Sequence, residues 1–265
     1  MTPLGDCPRE TLAAIDGVLT DIDETVSSEG RLTAVAYDAM EALKKAGFRV
    51  IPVTGRPAGW CDHIARFWPV DAVVGENGAF WMWHDEKERR LRTRFVQSEA
   101  QRTDGRRRLE AVRVQVLRDV PGAGIASDQP YRAADLAIDF CEDVPALPHA
   151  EIAHIVKIFE THGAHAKVSS IHVNGWFGDY DKLTTSRLMM RELFVVNLET
   201  VRERYVFSGD SPNDAPMFGF FPNAVGVANV RDFAADMDHL PRWITTARSG
   251  AGFVELARAL IAARR

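Results

Sequence analysis

Two aspartates one residue apart, Asp21 and Asp23, directly follow the apolar run Gly17-Val18-Leu19-Thr20. In an extended segment residues i and i+2 point to the same face, so both carboxylates meet at the carboxyl end of a buried strand. Open α/β sheets bind their ligands at such strand ends. Like charges this close repel, and a bound cation or a shared proton relieves the repulsion. Phosphoryl transfer draws on both remedies. An acidic loop after a strand has the same local pattern, so partners elsewhere in the chain must decide.

Those partners follow in order. The apolar run Arg49-Val50-Ile51-Pro52-Val53 stops at Thr54-Gly55-Arg56-Pro57, where a hydroxyl and a glycine turn offer O–H and N–H groups to an anion. A third strand-like run, Tyr205-Val206-Phe207-Ser208, delivers Gly209-Asp210-Ser211-Pro212-Asn213-Asp214, and Lys182 lies between the second and third runs. A Thr-Gly-Arg by itself is usually a turn, and a single lysine is usually a solvated charge. The set in this order, from Asp21 to Asp214, resembles the haloacid dehalogenase superfamily of phosphohydrolases with its four motifs.

The resemblance implies a Mg²⁺ held by Asp21, the backbone carbonyl of Asp23, and Asp210, with Asp214 a ligand or a supporting partner. A carboxylate-rich, cysteine-free site suits this oxygen-loving ion. It implies Asp21 as a nucleophile forming an aspartyl phosphate, and Asp23 as general acid and then base. Thr54, Lys182 and the backbone N–H groups around Ile22 and Asp23 would hold the phosphoryl oxygens, beside the Gly55-Arg56 turn, with Asn213 as a further contact. A phosphate monoester carries about two negative charges, so a carboxylate approaches it only where positive charge screens the pair.

The elements that must position these groups are legible in outline. Leu32, Val35, Ala36, Ala39 and Leu43 recur at helical spacing before the natural terminator Gly47. Residues 26–53 hold this helix and one strand, with no room for a lid. Residues 57–181 exceed what one further βα unit needs. After Asp71-Ala72-Val73-Val74-Gly75, a core strand, and the Glu76-Asn77-Gly78-Ala79 turn, a domain-sized stretch remains. The expected architecture is therefore α/β: a Rossmann-like, doubly wound parallel-sheet core of residues 1–79 and 179–265, with residues 80–178 an inserted α/β cap. The Glu-Asn-Gly-Ala signature and this insertion point resemble the Cof-like and sucrose-phosphatase-like branch. Within the insert, Ala134–Phe140 and Ala166–Val173 read as strands, and Ile152, Ile155, Val156 and Phe159 as a helix stripe. His172, Asn174 and Trp176, on the segment returning to Lys182, are candidate specificity residues, although a packed histidine has the same signature. The arginine-rich stretch Arg89 to Arg108 attracts an anionic substrate or forms a solvated face.

Global properties exclude other classes. The 265 residues carry a net charge of −5, against a general nucleic-acid binder. Three cysteines, Cys7, Cys61 and Cys141, have no metal-like spacing, and there is no long apolar stretch or secretory leader pattern, so a cytoplasmic enzyme without membrane contact is expected. The partner implied is a small phosphorylated metabolite: a sugar phosphate or a phosphorylated carboxylic acid. A sugar phosphomutase would use the same residues. A phosphate-binding, receiver-like module is the reading from a different class, but receivers have about half this length and no large insert.

Overall fold

A computed structural model describes residues 1–169 and 171–264. Its main sheet has six strands in the spatial order Thr2–Pro3, Trp243–Ile244, Val225–Gly226, Tyr205–Gly209, Gly17–Thr20 and Arg49–Pro52, all parallel. The Gly17–Thr20 strand is buried along its whole length, as a strand covered on both faces must be. Its period of two splits the core. Val18 faces a cluster with Met40, Leu43, Phe253 and Leu256, contributed by the Ala34–Lys45 and Ser249–Ala263 helices. Leu19 faces Met189, Met190, Met217 and Phe218, from the Lys182–Phe194 and Ala215–Phe220 helices. The core is thus doubly wound, as expected. Val35 lies outside its expected stripe, 58% exposed, and Met40 fills that place instead.

The chain leaves the Gly17–Thr20 strand toward Arg49–Pro52 on one side and later returns as Tyr205–Gly209 on the other. The strand order reverses between Gly17–Thr20 and Tyr205–Gly209, which are paired in register from Gly17 opposite Tyr205 to Thr20 opposite Ser208. Such a reversal opens a crevice beyond the carboxyl ends of the two strands.

The stretch 80–178 contains two different pieces. Phe80–Asp85 and Arg90–Phe95 form a hairpin on Val73–Gly75, and Val74 bridges Val53 at the edge of the main sheet. The second piece is a four-stranded antiparallel sheet ordered Gly124–Ile125, Leu136–Asp139, His172–Trp176, His165–Val168. The Glu99–Asp119 and His149–Thr161 helices pack on it through Val112, Val116, Ile155 and Phe159. The run Ala166–Val173, expected as one strand, is two strands joined by a turn; Ser170 lies outside the described residues. Ser169 makes the turn, its hydroxyl accepting from His172 N at 3.0 Å and donating to His172 O at 3.0 Å. No helix among the described residues is long and apolar enough to cross a membrane.

Candidate active site

Asp21 follows the last residue of its strand and is still anchored to the sheet, its N–H donating to Ser208 O at 2.8 Å. Asp210 leaves the neighbouring strand at the same level. Asp21, Asp210 and Asp214 are all buried, and each offers an oxygen within 4.8 Å of the others'. Gly209 is required here: a Cβ would meet Asp214 Oδ2 at 2.4 Å. The same Oδ2 accepts from Asp210 N at 3.1 Å, curling the turn back on itself.

Lys182 closes the cluster. It is the first residue of the Lys182–Phe194 helix, whose start is fixed by Asp181 accepting from Thr184 N at 2.6 Å in a capping box. The Glu76–Gly78 turn seats that start, since Thr185 Oγ1 donates to Gly78 O at 2.6 Å. Gly78, at φ +112°, is packed so close that a Cβ would lie 2.2 Å from Asp181 O. Lys182 Nζ then donates to Asp21 Oδ1 at 2.7 Å and to Asp214 Oδ1 at 2.8 Å. Burial disfavours the ammonium, but Asp21 and Asp214 outweigh it and the Lys182 pKa is raised. Burial also pushes Asp21 up to about 7, Lys182 opposing and Asp214 and Asp23 adding to the rise. Asp210 is raised well above the usual carboxylate range by burial, with Asp21 and Asp214 adding to it.

These residues fit a divalent cation. Three oxygen donors converge on one point, and the burial and crowding that drive two of them toward protonation are what a cation would offset. Asp210 is oriented by Thr25 Oγ1 at 3.1 Å and Asn229 Nδ2 at 3.0 Å. Both oxygens of Asp214 already accept hydrogen bonds, from Lys182 and from Asp210 N and Ser211 N. Both oxygens of Asp210 accept in the same way, so Asp214 stands with it as a ligand or an orienting partner.

The other expected residues are placed as follows. Asp23 is gripped by Arg56, whose Nε and Nη2 donate to Asp23 Oδ1 at 2.9 and 2.8 Å. The Arg56 guanidinium also stacks over Trp60 at 4.3 Å. Thr54 is fully buried, and its hydroxyl accepts from Arg56 N at 3.0 Å, shaping the turn. Ile22 packs in the apolar seam between core and insert, its carbonyl accepting from Val26 and Ser27 N at 2.9 Å. Asp21, Asp23, Gly55, Arg56 and Asn213 line one cleft with His172 and Asn174. Trp176 does not line it. That indole donates to Tyr180 O at 3.1 Å and stacks on Tyr180, in the seam with Ile22. The Arg89–Arg108 run does not reach the cleft either; Arg102 covers Phe95 and Arg108 covers Phe177.

Arg132, Asp128, Asp135 and Asn229 were not singled out from the sequence, and Glu76 was read only as part of a turn signature. Arg132 lines the cleft, donating to Asp128 at 2.9 and 3.0 Å, to Asp135 at 3.1 Å and to Gly55 O at 3.0 Å. Asn174 Nδ2 donates to Asp135 Oδ2 at 3.0 Å. Glu76, fully buried, accepts from the N–H groups of Ala58, Ala133, Ala134 and Asp135 at 2.7–3.1 Å, tying insert to core. Asn229 had a usable signal, a lone polar residue just beyond a short apolar run. Arg132 had none.

A family model described as haloacid dehalogenase-like hydrolase matches residues 18–103. A search of curated proteins found no match. Among solved structures, protein 0175 of Thermoplasma acidophilum is similar with a TM-score of 0.68 at 16% identity, over 93% of this chain and 98% of that one. A HAD/COF-like hydrolase from Plasmodium vivax gives 0.67 at 18% identity over 96% and 99%. The sucrose-phosphatase of a Synechocystis species, solved with sucrose and phosphate, gives 0.65 at 13% identity over 93% and 98%. The resemblance carried by the four motifs is thereby borne out: the chain has the Cof-like haloacid dehalogenase fold, a parallel-sheet core with an inserted α/β unit.

Proposed function

We propose that this chain is a Mg²⁺-dependent phosphatase of small phosphate monoesters, working through an aspartyl phosphate on Asp21. The observation that carries the reading is the buried Asp21–Lys182 pair, 2.7 Å apart, facing Asp210 at the strand-order reversal. A structural role alone would not gather three carboxylates and an ammonium where ligands bind.

Lys182 fixes Oδ1 of Asp21 and leaves Oδ2 to attack phosphorus. As the Asp21–phosphorus bond forms, the ester P–O bond breaks, and Asp23 hands a proton to the departing oxygen. Water then attacks phosphorus, Asp23 takes its proton, and inorganic phosphate leaves with Asp21 regenerated. Both Asp23 oxygens are near Arg56, so each proton movement needs Arg56 to release one of them. Asp21, Asp210 and the Asp23 carbonyl would hold Mg²⁺, which when bound would supply the positive charge that lets two anions meet. Lys182 adds its own charge beside Asp21.

The inserted unit acts as a cap. The open space left in the cleft is about 20 Å³, room for a single water. An ester enters only when the cap lifts, and closure then shuts water out. The test is hydrolysis across a panel of phosphate monoesters, with Mg²⁺ and with excess chelator. Mg²⁺-dependent phosphate release that Asp21→Asn abolishes supports the reading; undiminished turnover in chelator, or in Asp21→Asn, refutes it.

A further inference from the structure

On the cap side of the cleft, His172 is 2% exposed and lines the cavity, yet its Nε2 has no hydrogen-bond partner. Glu142 Oε2 lies 2.9 Å from that nitrogen but off the line of a hydrogen bond. Glu142 is not loosely placed. The fully buried Asp139 carboxylate accepts from the N–H groups of Cys141, Glu142 and Asp143 at 2.8–2.9 Å, fixing the loop that carries it. The other Glu142 oxygen stands 3.5 Å from Arg56 Nη1. Glu142 thus stands beside two residues that line the cleft, His172 and Arg56, so that a preformed carboxylate and a buried imidazole lie side by side on its cap side.

The surrounding charge decides what they bind. Arg56 is shared among Asp23, Asp128 and Glu142, and Arg132 is saturated by Asp128, Asp135 and the Gly55 carbonyl. Neither guanidinium has charge to spare for a second anionic group. A carboxylate accepts from a hydroxyl, and an imidazole donates to or accepts from one, whereas a carboxylate or phosphate brought against His172 would meet the negative charge of Glu142 beside it. We propose that Glu142, paired with His172, is a specificity-determining residue that selects a neutral, hydroxylated leaving group and rejects esters bearing a second negative charge. The proposal rests on the phosphatase reading for where the ester lies, and it narrows the substrate to a sugar- or polyol-type phosphate.

Sorbitol 6-phosphate and 6-phosphogluconate test it, since they differ only at the carbon farthest from the phosphate. In the wild-type enzyme with Mg²⁺, kcat/KM favours sorbitol 6-phosphate by on the order of tenfold or more, as expected when like charges oppose across a closed site. Glu142→Gln keeps the size and one accepting oxygen but removes the charge, and it shrinks that preference at least about threefold. Calorimetric binding of both esters to Asp21→Asn gives the same ranking without turnover. Equal kcat/KM for the two esters, a preference for 6-phosphogluconate, or a ratio unmoved by Glu142→Gln overturns the proposal. Absence of hydrolysis with the binding preference intact overturns the phosphatase reading and leaves Glu142 as the selector.

Discussion

Lys182 Nζ and Asp21 Oδ1 are 2.7 Å apart, although 161 positions of sequence separate the two residues. Both are buried, so the pair stands or falls together: an ammonium or a carboxylate left alone in this interior has no water to turn to.

Lys182→Ala leaves Asp21 and Asp214 facing each other without their shared cation. Breaking a buried pair by removing one partner costs about 3–5 kcal/mol, and protonation of a carboxylate offsets part of that at low pH. The variant should lose turnover, and its loss of stability, read from urea unfolding, should be larger at pH 8 than at pH 5.5. A loss that is the same at both pH values would mean that Lys182 is not what keeps these carboxylates charged.

The crowded carboxylates also set a pH dependence for metal binding. Asp21 rises from an ordinary 3.8 to about 7 on folding, so the stability linked to it is fully present below the lower value and is lost as pH climbs through the higher one. Asp210 shifts in the same direction. A cation replaces those protons, and so the gain in Tm on adding Mg²⁺ should be greater at pH 8 than at pH 5.5. Thermal unfolding with and without Mg²⁺ at the two pH values checks this; a Tm gain independent of pH would remove Asp21 and Asp210 as the ligands.

Glu76 is the third testable point. Its two oxygens accept four backbone N–H groups, three of them from Ala133, Ala134 and Asp135 of the insert. Burial and Asp135 push its pKa up to about 8, against the pull of those N–H bonds and of Arg132. In Glu76→Gln one oxygen becomes an NH₂ aimed at N–H donors. Each donor left unpaired costs about 1–3 kcal/mol, so the variant should unfold at distinctly lower urea, with hydrogen exchange fastest at residues 133–135. Wild-type stability would show that this cradle contributes nothing to holding the insert.

Much of the site was legible because its logic is local. Asp21 and Asp23, Thr54 and Arg56, and Asp210 each follow an apolar run, and the carboxyl end of a buried parallel strand is where such a sheet meets ligands. Gly209 and Gly78 mark turns whose glycines the packing demands. His172, Asn174 and Trp176 alternate on one face of their strand, as a period of two requires. Alternation gives the face and not what lies opposite it: His172 and Asn174 meet the cleft, while Trp176 meets Tyr180 in an apolar seam.

The sequence alone therefore determined which acidic and hydroxyl groups stand at the strand ends, the doubly wound sheet and the presence of a large α/β insert, because strand period, apolar runs and turn residues act within a few positions of one another. Only the tertiary structure decided which charges meet. Arg56 grips Asp23, Glu142 stands beside His172, Arg132 reaches back to Gly55, and Glu76 gathers N–H groups from residues 133–135. Each of these contacts joins segments whose spacing carries no period, and those of Arg132 and Glu76 are set by how the insert settles on the core, where burial makes an unpaired polar group costly and so favours a docking that pairs them.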